Sequence, residues 1–203
     1  MINLSNYEHS SAFHESNDEA WANRIIFTFA SILTHVFQPE NGPSLQQWME
    51  LQADVARWNS SKPWDFAPLW IEELGSPGDQ PWPEVMMSQN AQVVGMQYYC
   101  LANIILSIYD PRLSKLGFEG HRLRKLSEAI VLKNLRMVIS LAVCNDDVGS
   151  AMFHASHILS TCGSYLTDPI EREGAVDFLA RMQRQMGWHT SHIISNLREQ
   201  WQL

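Results

Sequence analysis

The segment from Val85 to Tyr109 reads VMMSQNAQVVGMQYYCLANIILSIY and contains no charged residue. Amide side chains recur through it, among them Gln89, Gln92 and Gln97, so no unbroken apolar run reaches the roughly 18 residues that identify a membrane-spanning helix. We therefore predict a long helix buried at the centre of the protein, and we expect no association with a membrane.

Upstream of this segment, two helices are predicted from their starting signals. Ser16-x-x-Glu19 matches a capping box and opens a helix that stops near the QPENGP turn. Ser44 begins a second helix, and four apolar residues of that helix lie on one face. These are Leu45, Trp48, Leu51 and Val55.

Residues 60–83 differ in composition, with five prolines and three tryptophans. Proline prevents a long helix here, whereas tryptophan provides large apolar anchors. We predict an ordered crossing loop with a short helix at its centre, and not a linker between domains.

Downstream, helical periodicity continues to the end of the chain. The first of these helices has a core stripe, and a second is expected from about Asp147 to Cys162, with Gly163 as its cap. Asp168-Pro169 begins a third helix that ends at Gly187, after which Thr190 or Ser191 starts the last one and Trp188 folds over the joint. The predicted stripes are Val131, Leu135, Val138 and Ala142, then Ala175, Leu179, Met182 and Met186, and finally Ile193 or Ile194 with Leu197 and Trp201.

These patterns predict an all-α fold: one domain of about seven helices over residues 16–203, preceded by a loose arm at 1–15. The chain has 22 acidic and 14 basic residues, a net charge of −8. That charge opposes binding to phosphate backbones, so we expect no direct nucleic-acid binding. Cys100, Cys144 and Cys162 lie far apart in apolar runs, which favours reduced, buried and unreactive thiols in an intracellular protein.

Several segments, in order, resemble the helical regulatory domain of fungal binuclear zinc-cluster transcription factors. The resemblance is most specific in GWHTSHIISNLREQW, residues 187–201. WANRIIF at 21–27 is similar to the first helix of that domain. LQQWMELQADVARWNSSKPWDFAPLW at 45–70 is similar to its tryptophan-rich segment, the central segment at 81–106 to its long helix, and residues 156–179 to its penultimate helices.

The resemblance implies a nuclear regulatory domain that senses a small hydrophobic metabolite or contacts a protein partner, including a second copy of itself. The six clustered cysteines that bind zinc in this family are missing, since even the nearest pair, Cys144 and Cys162, is 18 positions apart. The chain is therefore expected to be the downstream part of a regulator or a freestanding relative, which would be cytoplasmic.

Methionine and tyrosine near the central helix are candidates for lining an adaptable apolar pocket, although core packing explains the same pattern. Met87, Met182 and Met186 are predicted to face inward as well. The ligand-binding candidates are Met86, Met96, Tyr98, Tyr99, Met137 and Met152.

The first alternative function is an enzyme of fungal secondary metabolism that performs a cyclisation or rearrangement in an apolar cavity. Its acid–base groups would be His154, His157 and Asp147. Asp146 and Asp147, with Ser150 and His154, resemble half of the magnesium-binding motif of class I terpene cyclases, but the partner motif is missing. An enzyme is the weaker interpretation, and no cofactor is predicted.

Two histidine pairs have spacing that suits metal ligation, His154 with His157 and His189 with His192. Neither pair has a third ligand at motif spacing, so we predict no metal site.

The second alternative function is a scaffold for protein partners that uses an exposed tryptophan-rich loop. It requires Trp64, Trp70 and Trp82 to be accessible to solvent. Burial of all three would exclude it.

Overall fold

The computed structural model describes residues 10–13, 15–37, 43–72 and 81–202. The predicted all-α class is confirmed, with seven α-helices and one two-stranded sheet in the described residues. The helices are α1 (Asp18–Val36), α2 (Leu45–Ser61), α3 (Asn90–Ile108), α4 (Gly117–Cys144), α5 (Gly149–Cys162), α6 (Pro169–Met186) and α7 (Ser191–Gln200). The strands are β1 (Trp70–Glu72) and β2 (Glu84–Met86).

The uncharged segment forms α3, which lies between α1 on one side and α4 on the other, and α5 contacts it near Gln97 and Tyr98. Burial of Gln92 and Gln97 as well as its apolar residues confirms the predicted central position. The stretch Asn90–Ser114 is apolar and long enough to cross a membrane by length and composition, but half of its most apolar window is buried. Packing inside the protein accounts for that apolar character.

Three groups of buried side chains hold α3 in place. The main core joins α3 to α4, α5, α6 and α7, and all four residues of the predicted α4 stripe are buried in it. A smaller cluster on the other face joins α1, α2 and α3. There the indole Nε1 of Trp48 donates to the Leu106 carbonyl at 3.0 Å. A third cluster contains Ile25, Trp58 and Phe66, and the indole Nε1 of Trp58 donates to the Trp21 carbonyl at 2.9 Å. Each tryptophan thus combines apolar burial with a satisfied donor.

The predicted helix starts were correct for α2 and wrong by one residue for α1. Ser44 and Gln47 form a reciprocal capping box on α2, although Leu45 is exposed. On α1 the cap is Asn17, whose side chain accepts from the Ala20 amide at 2.9 Å, and not Ser16. Asparagine caps a helix as well as serine does, so both residues were suitable and the chain used the second.

The corner between α6 and α7 lies at Gly187 as predicted, but neither Thr190 nor Ser191 caps α7 with its side chain. Gly187 is left-handed at φ +68°, a conformation that glycine adopts without steric cost. The first turn of α7 is capped by Gln183, whose Oε1 accepts from the amides of Thr190 at 3.0 Å and Ser191 at 3.1 Å. Thr190 Oγ1 donates instead to the Leu179 carbonyl at 2.7 Å. Ile193, Leu197 and Trp201 are buried as expected.

The second half of the proline-rich stretch leads into a short hairpin, residues 70–86, that was not predicted from the sequence. After α2 ends at Ser61, a 3₁₀ turn covers Trp64–Phe66, and β1 then pairs antiparallel with β2, Trp70 opposite Met86. Asn145 holds β2 to the end of α4: its Nδ2 donates to the Val85 carbonyl at 3.0 Å, and its Oδ1 accepts from the Met87 amide at 3.1 Å. The intervening residues 73–80 lie outside the described part of the chain, as does most of the predicted QPENGP turn.

Part of the predicted N-terminal arm packs on α1. Ser11–Phe13 form a 3₁₀ turn, and the Phe13 ring lies 5.4 Å from that of Phe27. Arg24 Nε donates to the Phe13 carbonyl at 2.8 Å. Residues 1–9 and 14 of the arm lie outside the described residues.

Candidate functional site

A buried amide side chain ties three helices together at the centre of the protein. Gln97 of α3 is fully buried, and its Nε2 donates to the carbonyl of Val138 in α4 at 3.0 Å and of Ala151 in α5 at 3.1 Å. Its Oε1 lies 2.9 Å from Nδ1 of His154. All the hydrogen-bonding atoms of the amide therefore have partners, which removes the cost of burying it.

His154 is half-buried in this interface, and its ring lies edge-on to the Tyr98 ring at 4.8 Å. Because both Gln97 Nε2 hydrogens already go to carbonyls, Nδ1 of His154 must donate to Gln97 Oε1, which fixes the tautomer of the neutral ring. Burial, and to a lesser extent the nearby His157, lower the pKa of His154. The geometry favours a neutral histidine that positions helices.

The three groups of the enzyme alternative are not hydrogen-bonded to one another. His154 points inward toward Gln97, whereas His157 and Asp147 are exposed. His157 instead lies near the Trp188 ring, at 6.4 Å between centroids. An acid–base pair requires two groups within reach of one reacting atom, and these positions do not provide it.

The predicted ligand-binding residues divide between the core and the surface. Met152 is buried, and Met96, Tyr98, Tyr99 and Met137 are half-buried against the core clusters. Tyr99 stacks on the Trp58 ring at 5.8 Å, on the side of α3 away from α5. These residues pack between helices, and their role in ligand binding stays a prediction.

Two methionines expected to face inward are on the surface, so those predictions were wrong. Met86 is 50% exposed because its strand turns Val85 toward α4, and neighbours in a strand point to opposite faces. Met186 is exposed because it is the last residue of α6, beyond the part that the core covers.

Neither histidine pair is joined by further ligands. In the described part of the chain, no group of three histidine, cysteine, aspartate or glutamate side chains is placed to hold a metal ion. His189 and His192 are both exposed near the start of α7.

The three cysteines are free, and they differ in environment. Burial raises the pKa of Cys100 to about 12 and that of Cys162 to about 11. Cys144 is half-buried at the end of α4, where its sulfur accepts a hydrogen bond from the Val85 amide at 3.4 Å. Burial also raises the pKa of Cys144, and the bond from Val85 partly opposes this. All three pKa shifts disfavour a reactive thiolate.

The tryptophans of residues 60–83 do not share one environment. Trp64 is 89% exposed and Trp70 56%, as the scaffold hypothesis requires. Trp82 is only 6% exposed because it packs against α6, so its predicted accessibility was wrong. Leu69, Ile71 and Met86 are exposed as well, and with Trp64 and Trp70 they make five apolar side chains that lie on both faces of the hairpin and on the turn before it. We call them the hairpin surface, defined as Trp64, Leu69, Trp70, Ile71 and Met86. Apolar side chains of this size on a surface often indicate a contact with another molecule.

Two open grooves lie elsewhere. One, of about 610 Å³, runs between Lys125 and Leu132 of α4 and Tyr165. The other, of about 540 Å³, lies between residues 81–83, the end of α4 and one side of α6, where it is lined by Phe178 and Arg181; we call it the α6 groove.

Sequence reasoning missed the α6 groove because its walls come from three separate segments. Phe178 and Arg181, three residues apart, share a helix face, but that spacing is too common to identify a site.

Comparison with known proteins gives one curated match. The chain is 23% identical over 172 residues to the transcription activator AMTR1 of Alternaria alternata, a match covering 77% of this chain and 22% of that protein. The chain thus spans about a fifth of the length of this relative. No family model and no solved structure matches the chain. The comparisons therefore indicate a relationship to a fungal transcription regulator.

Proposed function

We propose that this chain is a helical regulatory region of a fungal transcription regulator of the zinc-cluster type, acting in the nucleus. The observation that carries the proposal is its similarity to a transcription activator along 172 residues. The ordered resemblance of residues 21–201 to the regulatory domain of zinc-cluster factors supports the same conclusion.

The surface of the chain favours regulation by protein contact. Trp64 and Trp70 have the large apolar area that is enriched at the centres of protein interfaces. A net charge of −8 opposes direct DNA contact, so DNA binding would belong to another part of such a regulator. The hairpin surface is the region through which we expect a partner protein to bind.

Replacement of a matching segment tests the proposal. The Alternaria activator is fused to a bacterial DNA-binding domain in three forms: intact, lacking the segment that matches this chain, and carrying this chain in its place. Transcription of a reporter is measured in a filamentous fungus, with protein amounts equalised by immunoblot. We expect the chimera to restore the transcription level and its regulation. A chimera that behaves like the form lacking the segment contradicts the proposal.

Surface substitutions then test the partner contact. Trp64→Ser with Trp70→Ser in the chimera should reduce transcription. The matched control is Leu116→Ser with Phe118→Ser, because these side chains are 91% and 98% exposed. They lie at the start of α4, whereas the hairpin packs near its end, about 40 Å away along a 28-residue helix. Equal losses in both pairs would remove the assignment to the hairpin surface.

A further inference from the structure

We propose that the α6 groove binds a small organic monocarboxylate, whose apolar body packs on Trp82 and Phe178 and whose carboxylate pairs with Arg181. This inference goes beyond the proposed role in transcription and does not depend on it. All the residues that line the groove belong to this chain: residues 81–83, the end of α4 and one face of α6.

One wall is held in close contact with α6. A side chain at Gly174 would place its Cβ 2.4 Å from Cγ of Pro81 and 3.3 Å from Nε1 of Trp82, so these residues lie directly on the helix backbone. Beyond Pro83, the strand β2 is fixed to α4 by the side chain of Asn145. The wall is therefore formed before any ligand arrives, which reduces the entropic cost of binding.

Arg181 is a polar side chain of the groove whose hydrogen bonds are incomplete. Its Nε is buried and has no hydrogen-bond partner, and its guanidinium forms no salt bridge with any described residue. Buried donors are nearly always paired, and an arginine keeps its charge at all physiological pH values. Arg181 also lines the groove, so a ligand carboxylate could pair with its guanidinium through two parallel hydrogen bonds.

A second arginine in the same protein shows the usual arrangement. Arg136 of α4 donates from Nε to the buried carboxylate of Glu171 at the start of α6. Of Arg136 and Arg181, only Arg136 has a carboxylate of the described residues within salt-bridge distance. Asp177, one turn before Arg181 on α6, lines the same groove but forms no salt bridge with Arg181.

The remaining groups of the groove define the charge of the ligand. The indole Nε1 of Trp82 makes no hydrogen bond among the described residues and provides a second donor beside Gly174. Arg181 and Arg184 contribute two positive charges and Asp177 one negative charge, which leaves a single positive charge. That balance suits a monoanion better than a phosphate, whose charge at neutral pH approaches −2.

The size and surface of the groove define the rest of the ligand. A volume of about 540 Å³ lies within the range of small-molecule sites. Trp82, Phe178 and Val143 provide aromatic and aliphatic walls, with Pro81 and Pro83 at the edge. A flat bicyclic acid or a medium-length aliphatic acid would bury its body against these walls and keep its carboxylate on Arg181.

A matched pair of probes tests the proposal with the full chain. Naphthalene-2-carboxylate and naphthalene-2-carboxamide have the same ring system and differ in charge. We expect the carboxylate to bind in isothermal titration calorimetry at pH 7 and to change tryptophan fluorescence, and the amide to bind at least about tenfold more weakly. Absence of carboxylate binding to folded protein, or equal affinity for both probes, would overturn the proposal.

Variants locate the site. Arg181→Gln should weaken the carboxylate about tenfold or more, while Arg122→Gln, which removes the same charge from the distant start of α4, should leave affinity unchanged. Trp82→Phe keeps an aromatic wall and removes one donor, so its loss should be smaller. Circular dichroism melts must show that each variant is folded. Equal affinities of Arg181→Gln and the wild type would place the ligand elsewhere and refute the assignment.

Discussion

The α3–α5 interface and the α6 groove both place polar side chains beside apolar ones, but they complete the hydrogen bonds differently. In the interface, Gln97 and His154 satisfy each other and two helix carbonyls. In the groove, Arg181 has a buried donor without a partner among the described residues. Polar groups with complete partners fix the positions of helices. The unpaired donor of Arg181 instead belongs to a side chain that lines an open groove.

The rates at which cysteines are alkylated should differ more between the two regions than any other property tested below. At pH 8, a thiol with the pKa of Cys100, about 12, has roughly a thousandfold less thiolate than a free cysteine of pKa near 8.5. Cys162 lies in the same core, whereas Cys144 lines the α6 groove. Alkylation of native protein followed by mass spectrometry should therefore label Cys144 first, and Cys100 and Cys162 only after unfolding. Early labelling of Cys100 would show that the core opens readily.

A pair of tryptophan substitutions should give the next largest effect. Trp58→Ala removes a buried ring and its hydrogen bond to the Trp21 carbonyl, and should cost about 3–5 kcal/mol of unfolding free energy. Trp64→Ala, at an exposed position, should change that free energy by less than about 0.5 kcal/mol. Urea unfolding followed by circular dichroism measures both. A large loss from Trp64→Ala would mean that the hairpin surface is part of the core.

Replacing the buried amide side chain of Gln97 should lower the free energy of unfolding less than removing a core ring does. Gln97→Met keeps the shape but leaves Nδ1 of His154 without an acceptor, so we expect a loss of about 1–3 kcal/mol. Adding His154→Leu removes the orphaned donor, and the double variant should recover part of the loss. A double-mutant cycle with urea unfolding measures the coupling. Strictly additive losses would contradict a direct link.

The smallest expected effect is a pH dependence of stability. The pKa of His154 is lowered in the folded protein, so the unfolded chain takes up this proton first as the pH falls. The stability contributed by the neutral ring is therefore complete above the unfolded pKa of about 6.5 and is lost as the pH falls toward the lower folded pKa. Urea unfolding at pH 7.5 and 5.5 should show this loss, and His154→Gln should reduce it. If His154→Gln loses as much unfolding free energy between pH 7.5 and 5.5 as the wild type does, other groups cause the loss.

The fold was largely predictable because its signals are local. A long segment without charges must be buried, and α3 is. The spacing of Val131, Leu135 and Val138 identified the buried face of α4, since that face repeats with the helical period. Gly187 marked the corner before α7 because few other residues adopt its backbone conformation.

The hairpin and the candidate sites were not predictable in the same way. Strands of three residues have no measurable period, and their pairing depends on Asn145, about 60 positions along the chain from Val85. Composition could not separate the buried Trp82 from the exposed Trp64 and Trp70, because burial depends on which helix each ring meets. The α6 groove likewise exists only after residues 81–83 have docked on α6.

The docking of residues 81–83 on α6 depends on Gly174, so the residue at this position should distinguish homologues that have the groove from those that lack it. The lack of a side chain there lets Pro81 and Trp82 rest on the backbone of α6, and a single methyl group would push them apart. Homologues that have alanine or a larger residue at this position should have lost the same recess, whatever their overall similarity. A glycine in the second turn of α6, together with the Pro-Trp-Pro tripeptide and the arginine seven residues after that glycine, is thus a marker for selecting orthologues that share the groove.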